Sequence, residues 1–142
     1  MALSKHFILQ EFVPPEIYKQ FGDHAWQFID PRLIVLADFV RDFFSKPVTI
    51  NNWDSGGTLT MRGFRTPDTS VGGTLSQHKF GRAIDININD LTPVQIYSII
   101  SESSAKFMKA GLTTMENINF TTSWNHLDIR YTGMDSIKIV TP

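Results

Sequence analysis

Cysteine is absent from the 142 residues of the sequence. Its absence excludes disulfide bridges, thiolate metal ligands and a cysteine nucleophile, although it suits both the cytosol and the cell exterior. No stretch approaches the ~20 apolar residues of a membrane-spanning helix. The first residues also lack the apolar run and cleavage site of a secretory signal. We therefore expect no membrane span and no signal peptide.

No charge of one sign dominates. The formal net charge is -1 and the pI is near 6.4, and no stripe of lysine and arginine is present, so nucleic acid is not an expected partner. A hydrophobic fraction of 42% with 19% charged residues is typical of a folded globular chain. Without repeats or linkers, residues 1–142 are expected to form a single domain, and we expect a monomer.

Two helix starts are marked by capping residues. Asp30 comes before a proline and a run of apolar residues with helical spacing, so a helix is expected from Pro31 to Lys46. Thr92 likewise opens a longer helix, which we expect to continue as one element until Gly111.

Extended segments are expected between and after these helices, from their β-branched residues and alternating patterns. They cover residues 48–53, 58–65, 82–88, 117–121, 124–131 and 136–140. Residues 66–76 are expected to form an ordered loop. The predicted fold class is therefore α+β, with a small antiparallel sheet flanked by helices.

The alternation of the segment 82–88 places a carboxylate on its polar face. Asp85 lies on one side, whereas three isoleucines share the other side and are expected to face the core. In the segment 124–131, His126 and Asp128 likewise share a face. If the two strands are antiparallel neighbours, Asp85 and His126 come within coordination reach. His78 would enter from the preceding loop, where Gly81 permits a tight turn.

Two imidazoles and one carboxylate, His78, Asp85 and His126, form a nitrogen and oxygen ligand set of the kind found in catalytic zinc sites. A lone histidine on a strand is more often an ordinary hydrogen-bonded polar residue, whereas aspartate is unusual in mid-strand. The spacing alone therefore leaves both a metal site and an ordinary polar cluster open.

Four motifs resemble those of the M15 family of zinc D,D-peptidases, in particular the branch of phage lysins and bacterial murein endopeptidases. They are Gly63-Phe64-Arg65, Val71-Gly72-Gly73, Ser76-Gln77-His78 through Asp85, and His126-Leu127-Asp128. The Ser-x-His-x-x-Gly-x-Ala-x-Asp spacing is specific, and the matching segments run from about Leu59 to Arg130. The resemblance implies the fold that this family shares with the hedgehog signalling domain.

The resemblance also implies roles for individual residues. His78, Asp85 and His126 match the zinc ligands. Arg65 matches an arginine that holds a substrate carboxylate or carbonyl oxygen, a task that suits a planar guanidinium; its alternative is a surface salt bridge. Ser76 matches a substrate-contacting serine, and the alternative is a loop hydroxyl bonded to nearby backbone.

The general base is where this sequence departs from the family pattern. Many members carry glutamate three residues before the last zinc histidine, and that position is Ser123 here. The nearest carboxylate, Asp128, resembles the base of a sub-branch with a His-x-Asp ending. Its alternative role is to orient a ligand or to pair with Arg130. Glu116 is the second candidate for the base, and its alternative is an ordinary turn residue.

The activity implied is zinc-dependent hydrolysis of peptide bonds in peptidoglycan stem peptides, of the D,D-carboxypeptidase or endopeptidase type. An L-alanyl-D-glutamate endopeptidase of the same fold is one alternative, and a zinc-containing domain that only binds is another. Trp124, Phe80 and Tyr131 are candidates for lining the substrate path. The expected origin is a phage or prophage, or cytoplasmic synthesis with action on the cell wall.

Overall fold

The computed structural model describes residues 3–142 of the chain. Within that range the α-helices are α1 (Pro15–Phe21), α2 (Pro31–Phe44), α3 (Pro93–Glu102) and α4 (Ser104–Lys109). The strands are β1 (Val48–Thr49), β2 (Ala83–Ile88), β3 (Thr114–Glu116), β4 (Asn125–Asp128) and β5 (Lys138–Val140). They form one sheet in the order β1-β2-β4-β3-β5. The expected α+β class is confirmed.

Helix α2 begins as its capping signal predicts. The Asp30 side chain accepts a hydrogen bond from the backbone N–H of Arg32 at 3.0 Å, which satisfies one of the free donors of the first turn. The helix ends at Phe44, two residues earlier than expected, because Ser45 adopts a left-handed conformation with φ 52°.

The second predicted helix is divided into two. Thr92 and Gln95 form a reciprocal capping box at the start of α3. The expected continuity to Gly111 is wrong, since Ser103 leaves the helical region (φ -115°, ψ 29°) and separates α3 from α4. The serine-rich run around this residue has a low intrinsic preference for helix, because serine side chains compete for backbone hydrogen bonds.

Two expected strands are displaced or shortened by asparagine side chains. Strand β1 ends at Thr49. The Asn51 and Asn52 side chains then accept hydrogen bonds from the 58–65 segment, beside one backbone bond from the Asn52 N–H to the Leu59 carbonyl oxygen. A strand over 117–121 is wrong, because the Asn117 side chain accepts from the N–H of Asn119 at 2.9 Å and closes a turn. Strand β3 lies just before that turn.

The sheet is mixed, so the expectation of a purely antiparallel sheet is wrong. Three strand pairs are antiparallel, but β3 and β5 run parallel, with Thr114 opposite Lys138. Strand β4 ends with Asp128 opposite Thr114, the first residue of β3, and the segment 129–137 passes from there to the outer side of β3. Strand β5 therefore joins the outer edge of the sheet in the same direction as β3.

The core lies on the isoleucine face of β2, as the alternation predicts. Ile84, Ile86 and Ile88 are buried in one cluster with apolar residues of α2, α3 and α4. Each fully buried side chain of this size contributes about 1.5–3 kcal/mol, so this packing orients β2 strongly and turns Asp85 to the opposite side. Along residues 3–142, no helix has both the length and the apolar character needed to cross a bilayer.

Candidate metal centre

Asp85 and His126 are directly opposite each other in the antiparallel pair of β2 and β4. The Nδ1 atom of His126 lies 3.0 Å from Oδ1 of Asp85, and both side chains are buried. The condition set from the sequence, that these two strands be antiparallel neighbours, is therefore met. Because the register sets this contact, the two side chains approach each other without any loop rearrangement.

His78 reaches the same carboxylate oxygen from the 3₁₀ turn Gln77–Phe80. Its Nε2 atom lies 3.2 Å from Oδ1 of Asp85. The turn ends at Gly81, which has φ +66°, and a Cβ atom there would lie 1.8 Å from the carbonyl oxygen of Phe28. Glycine is therefore required here by conformation, in agreement with the tight turn expected from the sequence, and also by space, which the sequence did not indicate.

Each imidazole is oriented by a bond on its outer nitrogen. Nδ1 of His78 donates to the carbonyl oxygen of Gly63 at 2.8 Å, and Nε2 of His126 donates to Oδ2 of Asp128 at 2.7 Å. Such outer-shell partners select the tautomer and turn the other nitrogen inward. The nitrogens that face Asp85 are consequently Nε2 of His78 and Nδ1 of His126.

His78, Asp85 and His126 could hold a metal ion, because one ligand atom from each lies within 4.8 Å of the other two. All three residues are buried, which limits competition from bulk water. Two imidazole nitrogens and one carboxylate oxygen form a donor set that suits a divalent transition metal or zinc.

Strong electrostatic coupling holds the three groups together. Burial disfavours the charged form of Asp85, yet hydrogen bonds from His126 and His78 hold its pKa below the usual range. Burial also opposes protonation of His126, but the carboxylates of Asp128 and Asp85 raise its pKa to about 9. Without a metal, His126 is thus a buried imidazolium between the carboxylates of Asp85 and Asp128 at neutral pH.

Arg65 donates to Oδ2 of Asp85, the carboxylate oxygen that neither histidine contacts. Its Nη2 atom donates to Oδ2 of Asp85 at 3.2 Å, and its Nε atom donates to the carbonyl oxygen of Met61 at 2.7 Å. Only 12% of the side chain is exposed, so the pair with Asp85 is not the surface salt bridge considered as the alternative. Arg65 also lines the cavity in front of the ligand cluster.

Asp128 is fully buried behind His126 and is held by several donors. Besides the bond from Nε2 of His126, its Oδ1 atom accepts from Nε of Arg130 at 2.9 Å and from the Arg130 N–H at 3.2 Å. This geometry matches the alternative in which Asp128 orients a ligand and pairs with Arg130.

A cavity of about 590 Å³ opens in front of the three candidate ligands. Ser76 contributes to its wall, and among the described residues its side chain makes no capping bond to the turn that follows. Of the aromatics expected along a substrate path, Trp124 lines this cavity. Phe80 lies outside its lining, and Tyr131 lines a separate cavity with Lys109.

Glu116 is a further carboxylate that lines this cavity beside the three candidate ligands. Its Oε1 atom lies 3.7 Å from Nδ1 of His126, and its Oε2 atom accepts from Oγ1 of Thr121 at 2.6 Å. Ser123, the position of the usual family base, is exposed, and its carbonyl oxygen accepts from the Asn87 side chain at 2.9 Å.

Thr121, Met61 and Gly63 contact the site residues without any role expected for them from the sequence. Met61 and Gly63 contribute backbone carbonyl oxygens, which every residue carries, so the motif that contains Gly63 does not indicate this contact. Thr121 is brought back beside Glu116 by the turn at Asn117, and its N–H donates to the Asn117 carbonyl at 3.2 Å. The Asn117 turn signal was the one clue in the sequence to this contact.

No known protein was found to be similar to this chain. The chain matches no protein-family profile, no curated protein and no solved structure. The likeness to M15 peptidases therefore stays a prediction from the four motifs.

Proposed function

We propose that the chain is a zinc-dependent peptidase of the M15 type that hydrolyses peptide bonds in peptidoglycan stem peptides. The observation that carries this proposal is the convergence of Nε2 of His78 and Nδ1 of His126 on Oδ1 of Asp85. Each ring is oriented by a hydrogen bond on its other nitrogen, so the inward arrangement of the ligand atoms exists before any metal binds.

The donor set supports zinc as the metal. Catalytic zinc sites combine three nitrogen or oxygen ligands from the protein with one position for water. When bound, zinc supplies Lewis acidity, which lowers the pKa of a water from about 15.7 toward ~7 and polarises a carbonyl group. Zero cysteine in the chain fits this set and not a four-cysteine structural site.

The cavity supports a peptide substrate with a carboxylate or carbonyl group near the scissile bond. Arg65 lies in its wall with Nε and Nη2 already bonded to the protein, so Nη1 remains for a substrate oxygen. The Ser76 hydroxyl and the Trp124 ring lie along the same wall. A volume of about 590 Å³ suits a short peptide segment. The assignment to peptidoglycan rests on the M15 resemblance and its hedgehog/DD-peptidase-like fold.

The decisive experiment measures new amine groups released from purified cell-wall sacculi, with chelator, without chelator and after zinc is restored. We expect release that chelator abolishes and zinc restores. His126→Ala should lose zinc uptake and activity together, whereas His24→Ala, at an exposed histidine, should keep both. Release that chelator leaves unchanged would refute the zinc mechanism.

The products of this digestion also separate the alternatives. Mass analysis of released muropeptides distinguishes cleavage next to D-alanine from cleavage between L-alanine and D-glutamate. Stoichiometric zinc with no release from any muropeptide would favour a zinc-containing binding domain instead.

A further inference from the structure

We propose that Glu116 is the carboxylate that takes the proton from the attacking water, and that Asp128 is a positioning residue for His126. This assignment rests on the proposed peptidase function and reverses the roles that the sequence pattern favours. It depends on where the two carboxylates lie relative to the cavity.

Asp128 is poorly placed to accept a proton from a water in the cavity. Its side chain is fully buried, it lies outside the cavity lining, and it accepts bonds from His126 and Arg130. The contact with the outer nitrogen of His126 is the arrangement by which carboxylates orient metal-binding histidines.

Glu116 lies on the cavity side of the same histidine. At the end of β3 its Oε1 atom is 3.7 Å from Nδ1 of His126, the nitrogen that faces Asp85. This separation exceeds a hydrogen bond, so the carboxylate faces the ligand cluster without being bonded to it. A general base must lie within hydrogen-bond reach of the proton that it removes, and Glu116 lines the same cavity as the three candidate ligands, where the attacking water would lie.

Thr121 fixes the direction in which Glu116 points. Its hydroxyl donates to Oε2 at 2.6 Å, and Thr121 itself is buried. Because Oε2 of Glu116 accepts the hydrogen bond from Thr121, Oε1 is the oxygen that faces His126. Thr121 is therefore a second positioning residue, and the turn at Asn117 is the local structure that brings it there.

The proposed step balances in atoms and protons. As the water oxygen bonds to the carbonyl carbon of the scissile peptide, an O–H bond breaks and the proton passes to Oε1 of Glu116. When the C–N bond then breaks, the same proton passes to the leaving nitrogen, giving one carboxylic acid and one amine. Glu116 returns to its carboxylate form and no other reactant is needed.

The test separates metal binding from turnover in two isosteric variants. Glu116→Gln should bind zinc within about twofold of the wild type, in competition with a chromophoric chelator, and lose about 10²–10⁴-fold in kcat. Asp128→Asn should weaken zinc binding about 10–100-fold and recover most of its kcat at saturating zinc. Glu102→Gln, an exposed site on α3, is the matched control.

The threonine provides an independent readout. Thr121→Val removes the hydroxyl at nearly constant shape and should lower kcat about tenfold with KM and zinc affinity unchanged. Thr121→Ser, which restores a hydroxyl, should recover most of that loss, whereas a purely structural role would not follow the hydroxyl.

Two results would overturn the assignment in different ways. If Glu116→Gln keeps wild-type turnover while Asp128→Asn keeps zinc and loses turnover, Asp128 is the base. If the zinc-loaded wild type releases no amines at all, the peptidase function fails and the Glu116 role fails with it. The zinc affinity of Asp128→Asn, read in the absence of substrate, still decides whether Asp128 positions His126.

Discussion

One oxygen of Asp85 lies 3.0 Å from Nδ1 of His126, across a strand pair in which the two residues are exact register partners. The same oxygen lies 3.2 Å from Nε2 of His78. A single buried carboxylate thus gathers both imidazoles before a metal is present. Such preorganisation lowers the cost of assembling the site when an ion binds.

Metal binding should release a proton from His126. Its pKa of about 9 means that the ring is protonated at neutral pH, whereas a metal ligand must be neutral. The apparent zinc affinity should therefore rise by about tenfold for each pH unit up to about 9 and then level off. Calorimetry in buffers of different ionisation enthalpy would measure the released proton, and an affinity that is flat between about pH 6 and 8 would contradict this.

The metal-free protein should show the opposite trend in stability. The folded pKa of His126 lies above its ordinary value of 6.5, so its contribution is fully present below that value and is lost as pH rises through about 9. The loss should be on the order of 3 kcal/mol. Urea unfolding at about pH 6 and pH 9.5 in the presence of chelator would measure it, and a higher midpoint at the alkaline pH would contradict the assignment.

Replacing Arg65 by lysine should weaken zinc binding. Lysine keeps the charge but cannot bond the Met61 carbonyl and the outer oxygen of Asp85 at the same time with fixed geometry. The loss of this support should reduce zinc affinity about 10–100-fold, measured by competition with a chelator. Arg32→Lys, at an exposed arginine, is the control, and equal affinities for the two variants would show that Arg65 does not hold Asp85.

Gly81→Ala should destabilise the fold and displace His78. A left-handed conformation costs a residue with Cβ about 1–2 kcal/mol, and overpacking against the Phe28 carbonyl adds about 1–3 kcal/mol. We expect the free energy of unfolding in urea to fall by about 2–5 kcal/mol. Gly73→Ala meets no atom within 4 Å and φ is not positive there, so it should change stability little; similar losses in both would refute the close-approach argument.

Ser76→Ala should affect substrate binding more than metal binding. The hydroxyl lies in the cavity wall without a capping bond to its own turn, so it is available to a substrate. Loss of one neutral hydrogen bond costs about 1 kcal/mol, or roughly fivefold in KM, with zinc affinity unchanged. Ser136→Ala, at an exposed serine, is the control. A changed zinc affinity with unchanged KM would contradict the substrate role.

The elements with strong local signals were predictable from the sequence. Helix α2 follows from Asp30 and Pro31, and the orientation of β2 follows from its three isoleucines. The division of the second long helix at Ser103 was not predictable in the same way. Its helical periodicity continues across the break, so only the weak preferences of a serine-rich run indicated an interruption.

The mixed character of the sheet could not be predicted from local sequence patterns. Alternation shows that 136–140 can be extended, but it does not specify the neighbour or the direction of a strand. The parallel pairing of β5 with β3 depends on the path of the segment 129–137, a long-range property of the folded chain.

For the site, residue types and spacing were enough to single out His78, Asp85 and His126 and to put the two strand residues on polar faces. Spacing along the chain cannot say which nitrogen of a ring points inward, because that depends on the Gly63 carbonyl and the Asp128 carboxylate behind the rings. Spacing also cannot decide which of Glu116 and Asp128 is the better candidate for the general base. Strand pairing buries one carboxylate behind His126 and leaves the other at the cavity, because distance in space follows register and packing and not position in the chain.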